Sequence, residues 1–367
     1  MSAVGRASLV AAVAVDRVRG VALRRFCAVR PLRRFVIEPR HRLVLLELTM
    51  ILLAAGLALR APLVSLWIGS ALFGVPHVIA GARAVAIKRR CSRVTLVCTA
   101  LGLLLGLAQI FGAGDRAMRG LVVLMAIAIA SEIVAARARP WVAIGALAAV
   151  AVGAATAVVF PAPAVVVLAH VHGLGALAFF TICARGRRLP TWPLLLGAGA
   201  LTAAALFGLL DGAMASALYA PRGAARSIVA EAIGSAFAGT GGAGFRRALF
   251  LYAFGQSLHF GVWLRLMPEV DRPWSTPKTF RRALHDFEGD FGRWAQPLLL
   301  VAVIGIALLL VGGGPAREAY FALTYCHVGL EAAALARAGL RARISAKTTE
   351  TRAPTSAPAT IVMGVAA

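Results

Sequence analysis

Five histidines lie inside long apolar stretches of the chain, where a polar side chain costs free energy. They are His77, His170, His172, His259 and His327. Imidazole nitrogens bind iron, copper, zinc and nickel, and ionisable groups within a membrane segment mark functional sites by default. Imidazoles brought from several helices to one depth therefore predict a metal site. The alternative is that each histidine makes an ordinary interhelical hydrogen bond.

His170 and His172 are separated by one residue, which places them about 200° apart around a helix. Only one of the two is therefore expected to face the metal, and the sequence does not say which. Glu132 lies in another apolar stretch and is a further candidate ligand. Carboxylates and amides beside ligating histidines can instead orient the imidazoles from a second layer.

Three more polar residues are candidates to position reactants, and we take them as candidate catalytic residues. Glu331 follows His327 by four residues, so the two side chains share a helix face. The other two lie in the same apolar stretch as His259. Tyr252 is two helical turns before this histidine, and Gln256 is one turn before it.

The elements that carry these residues are predicted to be membrane helices. Apolar residues make up 60% of the chain, above the roughly 45–50% of soluble proteins. They form ten blocks near bilayer length, and only helices satisfy their own backbone hydrogen bonds in lipid. The sequence thus predicts an all-α, polytopic integral membrane bundle with about ten transmembrane helices, in blocks 43–59, 63–87, 94–111, 121–136, 141–160, 164–183, 193–210, 247–267, 297–311 and 319–336.

The basic residues predict the orientation of this bundle. If the chain crosses the membrane at each block, the loops on one side of the membrane hold 30 Lys and Arg residues and those on the other side hold eight. Such an imbalance is typical of the cytoplasmic side, so both termini are predicted to be cytoplasmic, in a multi-pass protein of the cell inner membrane. The net charge of +24 is distributed over these loops rather than over one face, which excludes nucleic acid as a partner and leaves the lipid bilayer. The sequence does not indicate an oligomeric state.

Segments on either side of the 43–336 bundle, and two segments within it, have predicted roles of their own. Residues 1–42 form a basic cytoplasmic or interfacial arm, and 337–367 a disordered cytoplasmic tail. Segment 211–246 is extracytoplasmic. Within 268–296, an apolar stripe at helical spacing predicts an amphipathic surface helix, capped by Thr276 with Pro277 at its first position.

The run Gly74-Val75-Pro76-His77-Val78-Ile79-Ala80-Gly81 resembles the Gly-Ile-Pro-His-Gly motif of the bacterial membrane β-carotene dioxygenases, the Brp/Blh family. That resemblance implies a multi-helix membrane enzyme whose histidines hold one non-haem iron and which cleaves β-carotene to retinal. The corresponding ligands would be His77, His170 or His172, His259 and His327.

The functional hypothesis is a membrane-embedded, histidine-ligated oxygenase. Its cofactor is expected to be Fe²⁺, with another transition metal or haem as alternatives, and its partner an apolar, carotenoid-like small molecule. A haem-binding electron-transfer protein, in which two facing histidines are axial ligands, is one rival. A transporter in which Glu132, Glu331 and the histidines relay protons or ions is another. A structural or assembly protein without chemistry of its own is the third.

Overall fold

Helices make up all of the regular structure in the described part of the chain. The computed structural model describes residues 3–88, 91–110, 114–215, 233, 242–271, 279–311 and 314–351, and no strand occurs among them, which confirms the all-α prediction. The α-helices in chain order are α1 (Ala3–Ala28), α2 (Arg30–Ile37), α3 (Pro39–Arg60), α4 (Pro62–Ile68), α5 (Gly74–Ala82), α6 (Arg93–Ile110), α7 (Gly114–Ala135), α8 (Pro140–Val159), α9 (Pro161–Arg185), α10 (Trp192–Leu206), α11 (Asp211–Ala215), α12 (Ala243–Gly261), α13 (Met267–Val270), α14 (Phe280–Phe291), α15 (Ala295–Val311) and α16 (Gly314–Thr351).

Each of the ten apolar blocks falls largely within one helix or one run of consecutive helices. Among the described residues, five helical segments are long and apolar enough to cross a membrane. Helices of this length and composition are compatible with a membrane protein. The five segments are Pro39–Arg60, Pro62–Ile87, Pro140–Val159, Val166–Arg185 and Phe280–Val311.

Helix α8 exposes apolar side chains on every face. None of its residues is buried in the protein, and Ile144 and Val152 are 66% and 67% exposed. A helix that is apolar all round is stable when apolar groups surround it. Lipid chains can supply those groups, so α8 fits the periphery of a membrane bundle.

The second apolar block is a composite helix. Two π-helical turns, Gly69–Phe73 and Arg83–Lys88, lie on either side of α5. Pro76 in the first turn of α5 has no N–H to donate, so a regular α-helix cannot continue unbroken through it. A third π-helical turn, Val262–Leu266, follows α12. Such turns often occur at functional sites, and here they border two helices that carry histidines.

Four helices enclose the centre of the molecule. Helix α16 contacts α5 and α9, α12 contacts α9, and the π-helical turn after α12 contacts α5. The approach of α9 to α12 is close, since a Cβ atom at Gly173 would lie 3.1 Å from the carbonyl oxygen of Gly255. Because small residues let helix backbones approach each other, these glycines help to bring the histidines of the two helices together.

The amphipathic surface helix is α14, and it begins later than the sequence suggested. Thr279 is its N-cap, with a side chain that accepts a hydrogen bond from the Arg282 amide. The predicted cap, Thr276 with Pro277, lies outside the described residues. Asp16 of α1 accepts hydrogen bonds from the amides of Phe280 and Arg281 at 2.7 and 3.0 Å. The N-terminal arm is therefore helical and docked on α14.

The predicted tail over 337–367 requires a correction. Helix α16 continues through Thr351, so the first part of this segment is helical, and residues 352–367 lie outside the described residues. Most of segment 211–246 also lies outside them. Its described parts are α11, Ile233 and the beginning of α12.

Candidate metal centre

Four of the five histidines of the apolar blocks meet at one point. His77 comes from α5, His172 from α9, His259 from α12 and His327 from α16. Each is buried, and one nitrogen of each lies within 4.8 Å of the corresponding nitrogens of the other three. In a tetrahedral site with bonds of about 2.1 Å, the ligand nitrogens lie about 3.4 Å apart. Side-chain shifts of about 1 Å thus suffice for the four imidazoles to hold one ion.

The rings surround this point rather than stacking in a row. The His172 and His259 centroids lie 4.0 Å apart, and those of His77 and His327 lie 4.7 Å apart. The His77 ring is nearly perpendicular to those of His259 and His327, at 81° and 82°. The four rings therefore approach one another from several directions, as side chains from four helices can.

The Gly-Val-Pro-His run has a structural explanation in α5. Gly74, His77 and Gly81 are three and four residues apart, so they share the helix face that packs on α16. A Cβ atom at Gly74 would overlap the Tyr320 ring, and one at Gly81 would overlap the His327 ring. The two glycines thus create the space in which the histidines of α5 and α16 meet.

We predict that Gly81→Ala weakens metal binding at least tenfold. The new methyl group would occupy the position of the His327 imidazole and displace that ring from the cluster. Gly145→Ala in α8 is the matched control, because a Cβ atom there has no neighbour within 4 Å. Titration of the apoprotein with Co²⁺ measures the effect. Equal affinities for the two variants would contradict this account of Gly81.

The fold determines which ring nitrogen of His77 carries the proton. Its Nδ1 lies 3.1 Å from the carbonyl oxygen of Phe73, one turn earlier in the chain. A carbonyl can only accept, so Nδ1 carries the proton and donates it, and the lone pair resides on Nε2. Histidine ligands commonly donate their second nitrogen to a backbone carbonyl in this way.

The cluster contains many polar atoms without hydrogen-bond partners. These are Nε2 of His77, Nε2 of His172, and both ring nitrogens of His259 and His327. Buried polar atoms are nearly always satisfied in folded proteins, and each orphan costs about 1–3 kcal/mol. A single metal ion would satisfy one nitrogen of every ring at once, so the residues present fit a metal.

Glu331 contributes the carboxylate of this cluster. Its Oε1 lies 2.5 Å from His327 Nε2 and 3.7 Å from His259 Nε2. Its Oε2 lies 3.2 Å from His172 Nδ1. These are ion-pair contacts, and within the described part of the chain the partners of Glu331 are histidines. The candidate catalytic residue Glu331 therefore touches three of the four imidazoles.

Two predicted metal ligands lie elsewhere. His170 points away from the cluster, with Nδ1 2.8 Å from the Val166 carbonyl oxygen and its ring 5.8 Å from that of Tyr252. The reason is the helical phase, which sends residues 170 and 172 to different faces of α9. Glu132 is buried between α6 and α16, where it accepts a hydrogen bond from Arg337 at 2.9 Å. Neither of these two predicted ligands belongs to the group of four imidazoles.

Tyr252 and Gln256 lie on the helix of His259 but outside the group of four imidazoles. Tyr252 is half-buried beside His170, and Gln256 is buried one turn before His259.

Two aromatic residues near the cluster were missed in the sequence. The Phe260 ring lies 4.8 Å from that of His77, and the Trp263 ring lies 6.1 Å from that of His327. Trp263 follows His259 by four residues, a spacing that could have identified it.

In comparisons with known proteins, the chain matches no protein-family model, no curated protein and no solved structure.

Proposed function

We propose that this chain is a multi-pass inner-membrane oxygenase that uses a histidine-bound non-haem iron and O₂ on an apolar, carotenoid-like substrate. One observation carries the proposal. Four buried imidazoles from four helices converge within 4.8 Å, and most of their ring nitrogens have no hydrogen-bond partner. A set of neutral histidines with no competing lysine or arginine in the described part of the cluster is suited to a transition metal.

The geometry favours a bare ion over haem. A haem iron takes its four equatorial nitrogens from the porphyrin, leaving two axial positions for the protein. Four imidazoles packed within 4.8 Å of one another would have to occupy the space of the macrocycle. Iron is our choice among the ions that imidazole accepts because Gly74-Val75-Pro76-His77 resembles the motif of the bacterial β-carotene dioxygenases.

The chain's own residues would bind and orient the ion and exclude water. His77, His172, His259 and His327 would hold it, while Phe260 and Trp263 pack against the imidazoles and keep the site apolar. When bound, the iron would supply the O₂ chemistry that amino-acid side chains lack. A substrate dissolved in the bilayer can reach such a site without passing through water.

A transporter has less support. That hypothesis needs Glu132 and Glu331 in one polar pathway, yet Glu132 is engaged by Ser92, Thr95 and Arg337 at distances of 2.5 to 2.9 Å. A carboxylate held by three partners is suited to joining helices rather than to relaying ions.

The ten-span topology with cytoplasmic termini is part of the same proposal. It rests on the 30-to-8 division of basic residues and on the helix that accompanies each apolar block. Reporter fusions at the end of α16 and in the loop between α7 and α8 should both report the cytoplasm.

The activity is tested in a bacterial host that accumulates β-carotene. Expression of the wild-type chain with oxygen should bleach the cells and yield retinal, whereas anaerobic expression or His259→Ala should leave the pigment intact. His170→Ala, a histidine outside the cluster, should behave like the wild type. Iron-loaded protein that leaves β-carotene and other carotenoids intact under oxygen would refute the substrate class.

A further inference from the structure

Helix α1 carries an exposed apolar stripe along one of its faces. The stripe consists of four residues at spacings of four, four and three, which places them on the same side of the helix: Val10, Ala14, Val18 and Val21. All four are exposed, and Val10 and Val18 are exposed to 70% and 73%. A contiguous apolar surface of this kind marks a site of interaction with a protein or a membrane.

The opposite face of α1 docks on the bundle. The Asp16 carboxylate accepts hydrogen bonds from the amides of Phe280 and Arg281, at the beginning of α14. Gly20 and Leu23 lie one and two turns after Asp16, and all three are only partly exposed. The helix also contacts α2 and α15. Because the docked face lies on the other side of α1, the apolar stripe points away from the described part of the bundle.

The neighbours of α1 place it at the end of the bundle where two apolar segments begin. Helix α2 leads into α3, and α14 leads through the short turn Gly292–Trp294 into α15. Helices α3 and α15 belong to segments that are long and apolar enough to cross a membrane, Pro39–Arg60 and Phe280–Val311. At such an end a helix meets the lipid headgroups, where amphipathic helices bury an apolar face against the acyl chains.

Exposed arginines flank the stripe on α1 and continue onto α2. They are Arg17, Arg24, Arg25, Arg30, Arg33 and Arg34. Residues 1–42 contain ten arginines but only two acidic residues, Asp16 and Glu38, and Asp16 is engaged by α14. About four to eight basic residues beside a membrane segment are typical of a site for anionic lipid. Two copies joined through the stripe would bring like charges together, so charge favours a negatively charged bilayer over a second copy.

We infer that α1 is an interfacial helix: its apolar stripe inserts among anionic phospholipids, and the arginines of α1 and α2 bind the lipid phosphates. This inference is independent of the metal centre. The two parts of the surface have different roles, since the stripe contributes apolar burial and the arginines contribute an attraction that salt screens. The partner is defined by its chemistry as a lipid with a net negative headgroup.

The test is photocrosslinking of the full chain in nanodiscs, with p-benzoylphenylalanine in place of Val18. In phosphatidylcholine containing phosphatidylglycerol, mass spectrometry should find lipid attached at this position. In phosphatidylcholine alone, the adduct should fall about fivefold or more, since a single arginine near an anionic surface contributes about that factor. Salt at about 1 M should lower the adduct in the mixed nanodiscs too, because the Debye length is then only about 3 Å.

The same probe at Val152 of α8 is the matched control. Val152 is an exposed apolar position outside the basic arm, so it should give lipid adducts in both nanodiscs and at either salt concentration. A second variant, Arg24→Gln combined with Arg25→Gln, should lower the Val18 adduct in the mixed nanodiscs towards the value in phosphatidylcholine alone.

Three results at Val18 would overturn the inference. Equal adducts in both lipid compositions would exclude anionic lipid as the specific partner. A crosslink between two chains would assign the stripe to a second copy. No crosslink at Val18, with normal adducts at Val152, would leave the stripe facing water. Loss of the adducts at both positions would overturn the membrane bundle and this inference with it.

Discussion

Protein purified with His259→Ala should contain no stoichiometric metal, whereas His170→Ala should retain the wild-type amount. His259 is fully buried, and both of its ring nitrogens lack a hydrogen-bond partner. Its ring lies 4.0 Å from that of His172 and 5.0 Å from that of His77. Removing it takes away one of four ligands and leaves a cavity beside the other three. Elemental analysis of detergent-purified protein measures the result.

The His170→Ala variant distinguishes loss of a metal ligand from loss of a buried side chain. Both histidines lie in apolar helices, but the nitrogens of His170 contact the carbonyl oxygens of Val166 and Ala248 at 2.8 and 3.2 Å. His77→Ala should repeat the loss seen in His259→Ala. Addition of Co²⁺ should raise the unfolding temperature of the wild type and of His170→Ala only, because a ligand stabilises the state that binds it. Full metal content in His259→Ala would remove the basis for the centre.

The sequence was sufficient to predict that the histidines share a layer of the bundle. Depth along a helix follows from counting 1.5 Å per residue from the end of an apolar block. On that count all five histidines of the apolar blocks can share one layer near the middle of the bundle, and the structure brings four of them together. The helices themselves were predictable for the same reason, since apolar blocks of this length have few alternatives in lipid.

The sequence did not predict as well which neighbouring helix each side chain faces. His170 and Glu132 lie in apolar blocks like the four clustered histidines, yet they face other neighbours. The side that a helix turns inward depends on which helices pack against it, and that is a tertiary property. The π-helical turns before His77 and after His259 add a further rotation, which regular helical spacing does not include.

Glu132 is a buried carboxylate that joins helices. It lies on α7, where Oε1 accepts from the Ser92 amide and the Thr95 hydroxyl at 2.5 and 2.7 Å, and Oε2 accepts from Arg337 of α16. Ser92 immediately precedes α6, so the carboxylate also interacts favourably with the positive end of that helix. One side chain thus joins three helices.

Glu132→Ala is therefore expected to destabilise the bundle by about 3–5 kcal/mol, the usual cost of removing one partner of a buried ion pair. Glu132→Gln retains an acceptor for Ser92 and Thr95 but not the charge that faces Arg337, so its loss should be smaller. The midpoint of SDS-induced unfolding measures both. Metal content per folded molecule should stay at the wild-type value in either variant, because Glu132 lies outside the imidazole cluster. The opposite pattern, wild-type stability with metal lost, would return Glu132 to the metal centre and contradict its role in joining α6, α7 and α16.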